Sequence, residues 1–140
     1  MKFSNKVKYG LQFMLFLTID TEEYTDILRA ALSCEVPHKF LETIASDLRK
    51  AELLTVKRGA GGGYKLSKQP DLITFYDIFK ALTKKEKKSE STQNSELTSK
   101  VADIVINNAK KTFEMELKKI SLLDIRKVYM DENEKIMYYI

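Results

Sequence analysis

Three stretches near the start of the chain repeat apolar residues at helical spacing. After Ser4, a residue suited to capping a helix, Val7, Leu11, Met14 and Leu15 share one face of a helix expected to run to about Thr18. The segment from Thr25 to Cys34 carries Ile27, Leu28, Ala31 and Leu32 and predicts a short second helix. Glu35-Val36-Pro37 ends it, because the residue before a proline is pushed out of helical geometry while the proline suits the first turn of a new helix. That third helix, His38 to about Ala51, places Leu41, Ile44, Ala45 and Leu48 on one stripe. Its other face carries Lys39, Glu42, Thr43 and Ser46.

The period then changes. Leu54, Thr55, Val56 and Lys57 alternate apolar and polar, as do Tyr64, Lys65, Leu66 and Ser67, which predicts two strands. Between them, Arg58 to Tyr64 reads RGAGGGY and holds four of the chain's five glycines. A hairpin with a glycine-rich tip accounts for the cluster, since glycine takes positive φ without steric penalty. Thr74–Leu82 predicts another short helix after Pro70.

Residues 84–95 (KKEKKSESTQNS) contain no apolar side chain and predict a polar linker between a unit over residues 1–83 and a C-terminal unit over 96–140. Glu96 to about Ile120 predicts a long helix, about 36 Å at 1.5 Å per residue. Leu97, Val101, Ile104, Asn108 and Met115 trace one stripe on it, with Val105 alongside, and Ala102, Ile106, Ala109, Phe113 and Leu117 trace another. A helix that only covers its own domain needs one apolar face, so two imply one face docked at home and one on a partner. Asn108 suits the lone polar position that sets register in paired helices. Ser121 and Asp124 form a capping pair opening a last helix through Leu122, Ile125 and Val128, and the apolar end, IMYYI, is expected to pack down. The whole predicts a mainly α protein with a small β-hairpin.

Charge changes this picture only slightly. The net charge is +4, with 11 basic and 8 acidic residues over 1–69 against 13 and 12 over 70–140, so the positive balance leans to the first half. An acidic partner is permitted without being required. Cys34 is the one cysteine and His38 the one histidine, so no internal disulfide can form. The apolar run Leu11–Ile19 falls short of the roughly 20 residues of a membrane span and has no small-residue cleavage site, so a cytoplasmic protein is expected.

Helix, short helix, tight turn, amphipathic helix and glycine-tipped hairpin form, in that order, a winged helix-turn-helix. A helix fits the major groove of duplex DNA, its polar face toward base edges and its apolar stripe on the preceding helices. A small-tipped hairpin can track the sugar–phosphate backbone or enter the minor groove, with Arg58 supplying charge. The residues FSNKVKYGL, VPHKFLETIASDLRKAELL, VKRGAGGGYKLSKQP, ITFYDIFKAL and ISLLDI together resemble the Rrf2 family of winged helix-turn-helix regulators over nearly the whole chain. The resemblance implies a DNA-binding homodimer, most often a repressor, whose long helix pairs two subunits. By that similarity Lys39, Phe40, Glu42 and Thr43 of the recognition helix and Arg58, Gly59 and Tyr64 of the wing meet DNA, and Ser4, Lys6 and Tyr9 meet phosphates. His38, at the start of the recognition helix, is expected to contact a phosphate or a base.

Plainer readings stand beside these. Leu41, Ile44, Ala45 and Leu48 are core, and Glu42 can simply pair with Lys39 or Ser46, although its place on the reading face suits accepting from a cytosine amino group. The glycine cluster lacks the GxxxxGK[ST] pattern of a phosphate-cradling loop. Cys34 stands where the family usually has a core leucine and reads as an inert thiol. Many family members hold an iron–sulfur cluster on three cysteines before the long helix. Thr83–Ser95 has no cysteine, so the resemblance implies a cofactor-free branch with no metal. Its trigger is open among a small molecule, a partner protein and thiol chemistry at Cys34. A winged-helix module that binds protein instead of DNA is the alternative, and an enzyme has neither a nucleophile setting nor metal spacing to support it.

Overall fold

Helix starts and stops are written locally in this chain, and the computed structural model, which describes residues 3–20, 22–84 and 96–139, shows each device at work. The Ser4 hydroxyl accepts from the Val7 N–H at 3.3 Å and opens α1 (Asn5–Ile19). The Asp26 carboxylate accepts from the Leu28 N–H at 3.1 Å and opens α2 (Ile27–Cys34). Glu35, left-handed at φ 55, ends α2, and the Val36 N–H returns to the Ala31 carbonyl. After Pro37, α3 spans His38–Lys50. Strands β1 (Leu54–Lys57) and β2 (Gly63–Leu66) pair antiparallel, with Leu54 opposite Leu66 and Val56 opposite Tyr64. A 3-10 turn at Pro70–Leu72 leads to α4 (Phe75–Leu82), and α5 (Leu97–Lys118) and α6 (Leu122–Tyr138) complete the chain. Both α4 and α6 open with a full capping box, Thr74 with Asp77 and Ser121 with Asp124. The fold is mainly α with a two-stranded wing, as the alternation of periods predicts. The polar linker predicted at 84–95 falls, from residue 85 onward, outside the described residues.

Helix α1 lies at the centre, touching α2, α3, α4, α6 and β2. Val7, Phe13 and Met14 from α1 meet the α3 stripe of Leu41, Ile44, Ala45 and Leu48, together with Ile73, Ile78 and Leu82. Leu122 of α6 belongs to this same core and is fully buried. Its N–H donates to the Ile73 carbonyl at 2.7 Å, and the Phe75 N–H donates to the Ile120 carbonyl at 2.8 Å. The start of α6 is therefore stitched to the segment entering α4, so the N-terminal and C-terminal parts share one core.

Two expectations need correction. Only the last turns of α5 dock at home: Phe113 sits 5.6 Å, ring to ring, from both Phe3 and Phe79, and Leu117 is buried. Ala102, Ile106 and Ala109, expected on the docked stripe, are exposed, because among the described residues no other element packs along that part of the helix. Of the C-terminal apolar residues, Ile136 to Tyr139 do not pack down either, and Ile140 lies outside the described residues. Helix α6 continues well past Val128 to Tyr138, and Tyr138 and Tyr139 are 91% and 92% exposed. The polar run Asp131–Lys135 just before them is exposed as well.

Candidate nucleic-acid interface

Burial of the Leu41, Ile44, Ala45 and Leu48 stripe fixes which way α3 faces. Lys39, Glu42 and Thr43 are thereby left on the solvent side. The Thr43 hydroxyl donates back to the Lys39 carbonyl at 3.3 Å, a local bond a hydroxyl readily gives up. Glu42 pairs with His38 one turn earlier, Nε2 to Oε1 at 3.1 Å, rather than with Lys39 or Ser46. Phe40 sits on the flank, its ring 5.5 Å from and edge-on to that of Tyr9 in α1, both half-buried against the core. These two aromatics brace α3 on α1.

The wing's inner face carries Leu54, Val56, Tyr64 and Leu66, and its outer face carries Thr55, Lys57 and Lys65. Tyr64 packs edge-on against Phe13 at 6.2 Å, placing it at the base of the wing in the apolar layer. Arg58 and Gly59 are exposed at the tip, and Gly59 takes φ 94, which suits glycine. The wing is tied down through Thr25, whose N–H and carbonyl exchange hydrogen bonds with Tyr64 at 2.7 and 2.9 Å. A Cβ at Gly63 would collide with the Thr25 carbonyl, so this close approach requires glycine.

Thr25 is itself held by a buried carboxylate. Asp20, with its side chain 4% exposed, receives both guanidinium nitrogens of Arg29, at 2.7 and 2.6 Å, and the Thr25 hydroxyl. The Arg29 hydrogen bonds pull the Asp20 carboxyl from the ordinary 3.8 down to about 2, and the Thr25 hydroxyl adds to them against the cost of burial. Nearby, Lys57 and Lys65 reach over the Tyr24 ring at 5.5 and 5.0 Å. Neither the clamp nor this cation–π pair is visible in the spacing of any one segment. At the N-terminus, Ser4 spends its hydroxyl oxygen on the α1 cap, and Lys6 forms an ion pair with Asp47 on α3.

Cys34 is half-buried, its thiol pushed up by burial, with Sγ donating to the Gln12 carbonyl at 3.8 Å. A neutral thiol with no second cysteine in the chain does not suit an iron–sulfur cluster, which needs several thiolates. Among the described residues no group of three or more His, Cys, Asp or Glu side chains could hold a metal ion, and no helix is long and apolar enough to cross a membrane. On α5, Leu97, Val101, Ile104, Val105, Asn108 and Met115 are all exposed, so the predicted partner stripe is uncovered in the single chain.

Comparison with known proteins agrees with this arrangement. The signature of the Rrf2 family, described as iron-dependent transcriptional regulators, matches residues 3–127. The HTH-type transcriptional regulator CymR of Bacillus subtilis is 33% identical over 141 residues, covering 100% of each chain. The solved structure of CymR, the global cysteine regulator of B. subtilis, aligns with a TM-score of 0.68 and 31% identity over 91% of this chain and 98% of that one. T. potens IscR aligns with a TM-score of 0.70 and 31% identity over 92% of this chain and 88% of its own.

Proposed function

This chain belongs to the Rrf2 family of DNA-binding transcriptional regulators, and from that footing we propose that it is a repressor acting as a homodimer on an inverted-repeat operator. Its relatives are regulators and not enzymes. The observation that carries the proposal is the uncovered apolar stripe on α5, in a chain whose α3 turns a polar face to solvent. Pairing α5 with a second copy removes that stripe from water and yields two recognition helices related by a two-fold axis. They would enter successive major grooves about 34–36 Å apart.

In this reading residues 1–83 supply the reading unit and residues 96–140 the pairing unit, the two joined through the buried start of α6. Lys39, Glu42 and Thr43 face base edges or phosphates, and Arg58 and Gly59 at the wing tip follow the backbone or the minor groove. Phe40, Tyr9 and Tyr64 support these contacts mainly by bracing α3 and the wing, because each is half-buried against the core. Lys6, beside α3 through its pair with Asp47, and Ser4, at the start of α1, serve as phosphate contacts. The protein works in the cytoplasm without a metal cofactor, and its trigger is a small molecule, a partner protein or thiol chemistry at Cys34. Full-length likeness to the global cysteine regulator of B. subtilis supports genes of cysteine metabolism as its targets.

Selecting bound sequences from a random duplex pool tests the core of this proposal, together with light scattering of the protein and of its complex. An inverted repeat bound by two copies is expected. A single half-site bound by one copy overturns the dimeric reading. Transcription in vitro from a promoter overlapping the selected site should fall as protein is added, and a rise would make the protein an activator.

A further inference from the structure

Glu42 stands on the exposed face of α3, and its carboxylate is held by its own helix. His38 stands one turn earlier with Nε2 3.1 Å from Oε1, and the two side chains are 38% and 54% exposed, so neither is locked in place by the core. An exposed glutamate ordinarily samples several rotamers. A partner one turn toward the N-terminus selects those that lay the carboxylate back along the helix. That end of a recognition helix is the one that approaches base edges. With Oε1 turned to His38, Oε2 keeps its lone pairs for an amino group of a base.

We propose that His38 is a positioning residue for base selection: it presents the Glu42 carboxylate to the major groove and makes no phosphate contact of its own. The proposal rests on the reading of α3 as the recognition helix and of Glu42 as a reader of cytosine. A preset carboxylate loses less side-chain freedom on binding, and the gain applies only where the correct base accepts the contact. His38 therefore acts on choice between sequences and not on general affinity.

The test compares wild type, His38→Ala, His38→Gln, Glu42→Ala and the His38→Ala/Glu42→Ala double variant. Each binds the selected operator, its single-base variants and random duplex at two salt concentrations, with a thermal melt confirming the fold. His38→Ala should lower discrimination at one base pair by about 3- to 10-fold, the range expected from freeing one side chain. Affinity for random duplex and the slope of log K against log salt should stay as in wild type. His38→Gln, whose amide N–H can reach the place of Nε2–H, should restore discrimination to within about 2-fold. In the Glu42→Ala background His38→Ala should have no further effect, since the two act through one contact.

Uniform weakening on all duplexes with a flatter salt slope would make His38 a phosphate contact and overturn the proposal. An effect of His38→Ala that persists without Glu42 would overturn it too, while leaving Glu42 as a reader. If Glu42→Ala leaves every base preference intact in a protein that still selects its operator, the reading of Glu42 fails and the positioning role falls with it. A wild-type protein that selects no sequence overturns both.

Discussion

Asp20 is ionised in a setting nearly closed to water, held there by Arg29 and Thr25. Its folded value of about 2 lies below the ordinary 3.8, so its contribution to stability is complete above 3.8 and lost as the pH falls toward 2. Asp20→Asn should cost about 2 kcal/mol at neutral pH, the scale of hydrogen bonds to a charged group. The difference in melting temperature from wild type should shrink through that acid window. A gap that persists unchanged at pH 2 would mean that the carboxylate charge is not what stabilises the loop. Little of this was legible in the sequence, because Asp20, Thr25 and Arg29 fall in a loop and a helix whose periodicities say nothing about each other. Tyr64 is the opposite case. It shares strand parity with Leu66 and faces Val56 across the ladder, so alternation alone marks it as inward. The family resemblance nonetheless placed it at the DNA.

Local rules resolve the elements well. Ser4 and Ser121 each cap the helix they announce, Thr74 caps the helix expected to begin with it, and the wing strands end within a residue of the alternating segments. Such devices are short-range, which is why one sequence suffices to show them. The Lys6–Asp47 pair joins α1 to α3 across 41 positions and escaped that kind of reading. It separates two lysines that otherwise look equivalent. Lys39 is exposed on α3, so Lys39→Ala should weaken operator and random duplex alike and flatten the salt dependence by about one unit. Lys6→Ala should flatten it less and cost about 0.5–1 kcal/mol of stability, because it strips Asp47 of its partner. Equal slopes for the two variants would place Lys6 on a phosphate despite the ion pair. For α5, Val101→Glu or Ile104→Glu should convert dimer to monomer in light scattering and lower operator affinity with it. A variant that stays dimeric with either substitution would move the contact off this stripe.

At the scale of the molecule, the expected division at residues 84–95 misses how the chain returns. The sequence shows a polar break and a long helix after it, but not that Leu122 comes back into the first core, since nothing in a leucine's own neighbourhood tells which core it will join. The return matters for what the dimer can recognise. Helix α5 meets the reading unit through Phe113 against Phe3 and Phe79, and Leu117 and Leu122 follow within a few residues. The junction is packed apolar side chains plus two main-chain hydrogen bonds, which leaves no pivot between the pairing helix and the helices that carry α3. In the proposed dimer, the protein would act as a fixed-gauge caliper on the duplex. Adding one base pair between half-sites shifts them by about 3.4 Å and rotates one about the axis by roughly a tenth of a turn, misfits that a hinged dimer would absorb. Operators lengthened or shortened by one base pair should bind far more weakly than the selected one, approaching random duplex in gel-shift titrations. Tolerance of either change would reveal a joint at residues 117–122 that the packing there argues against.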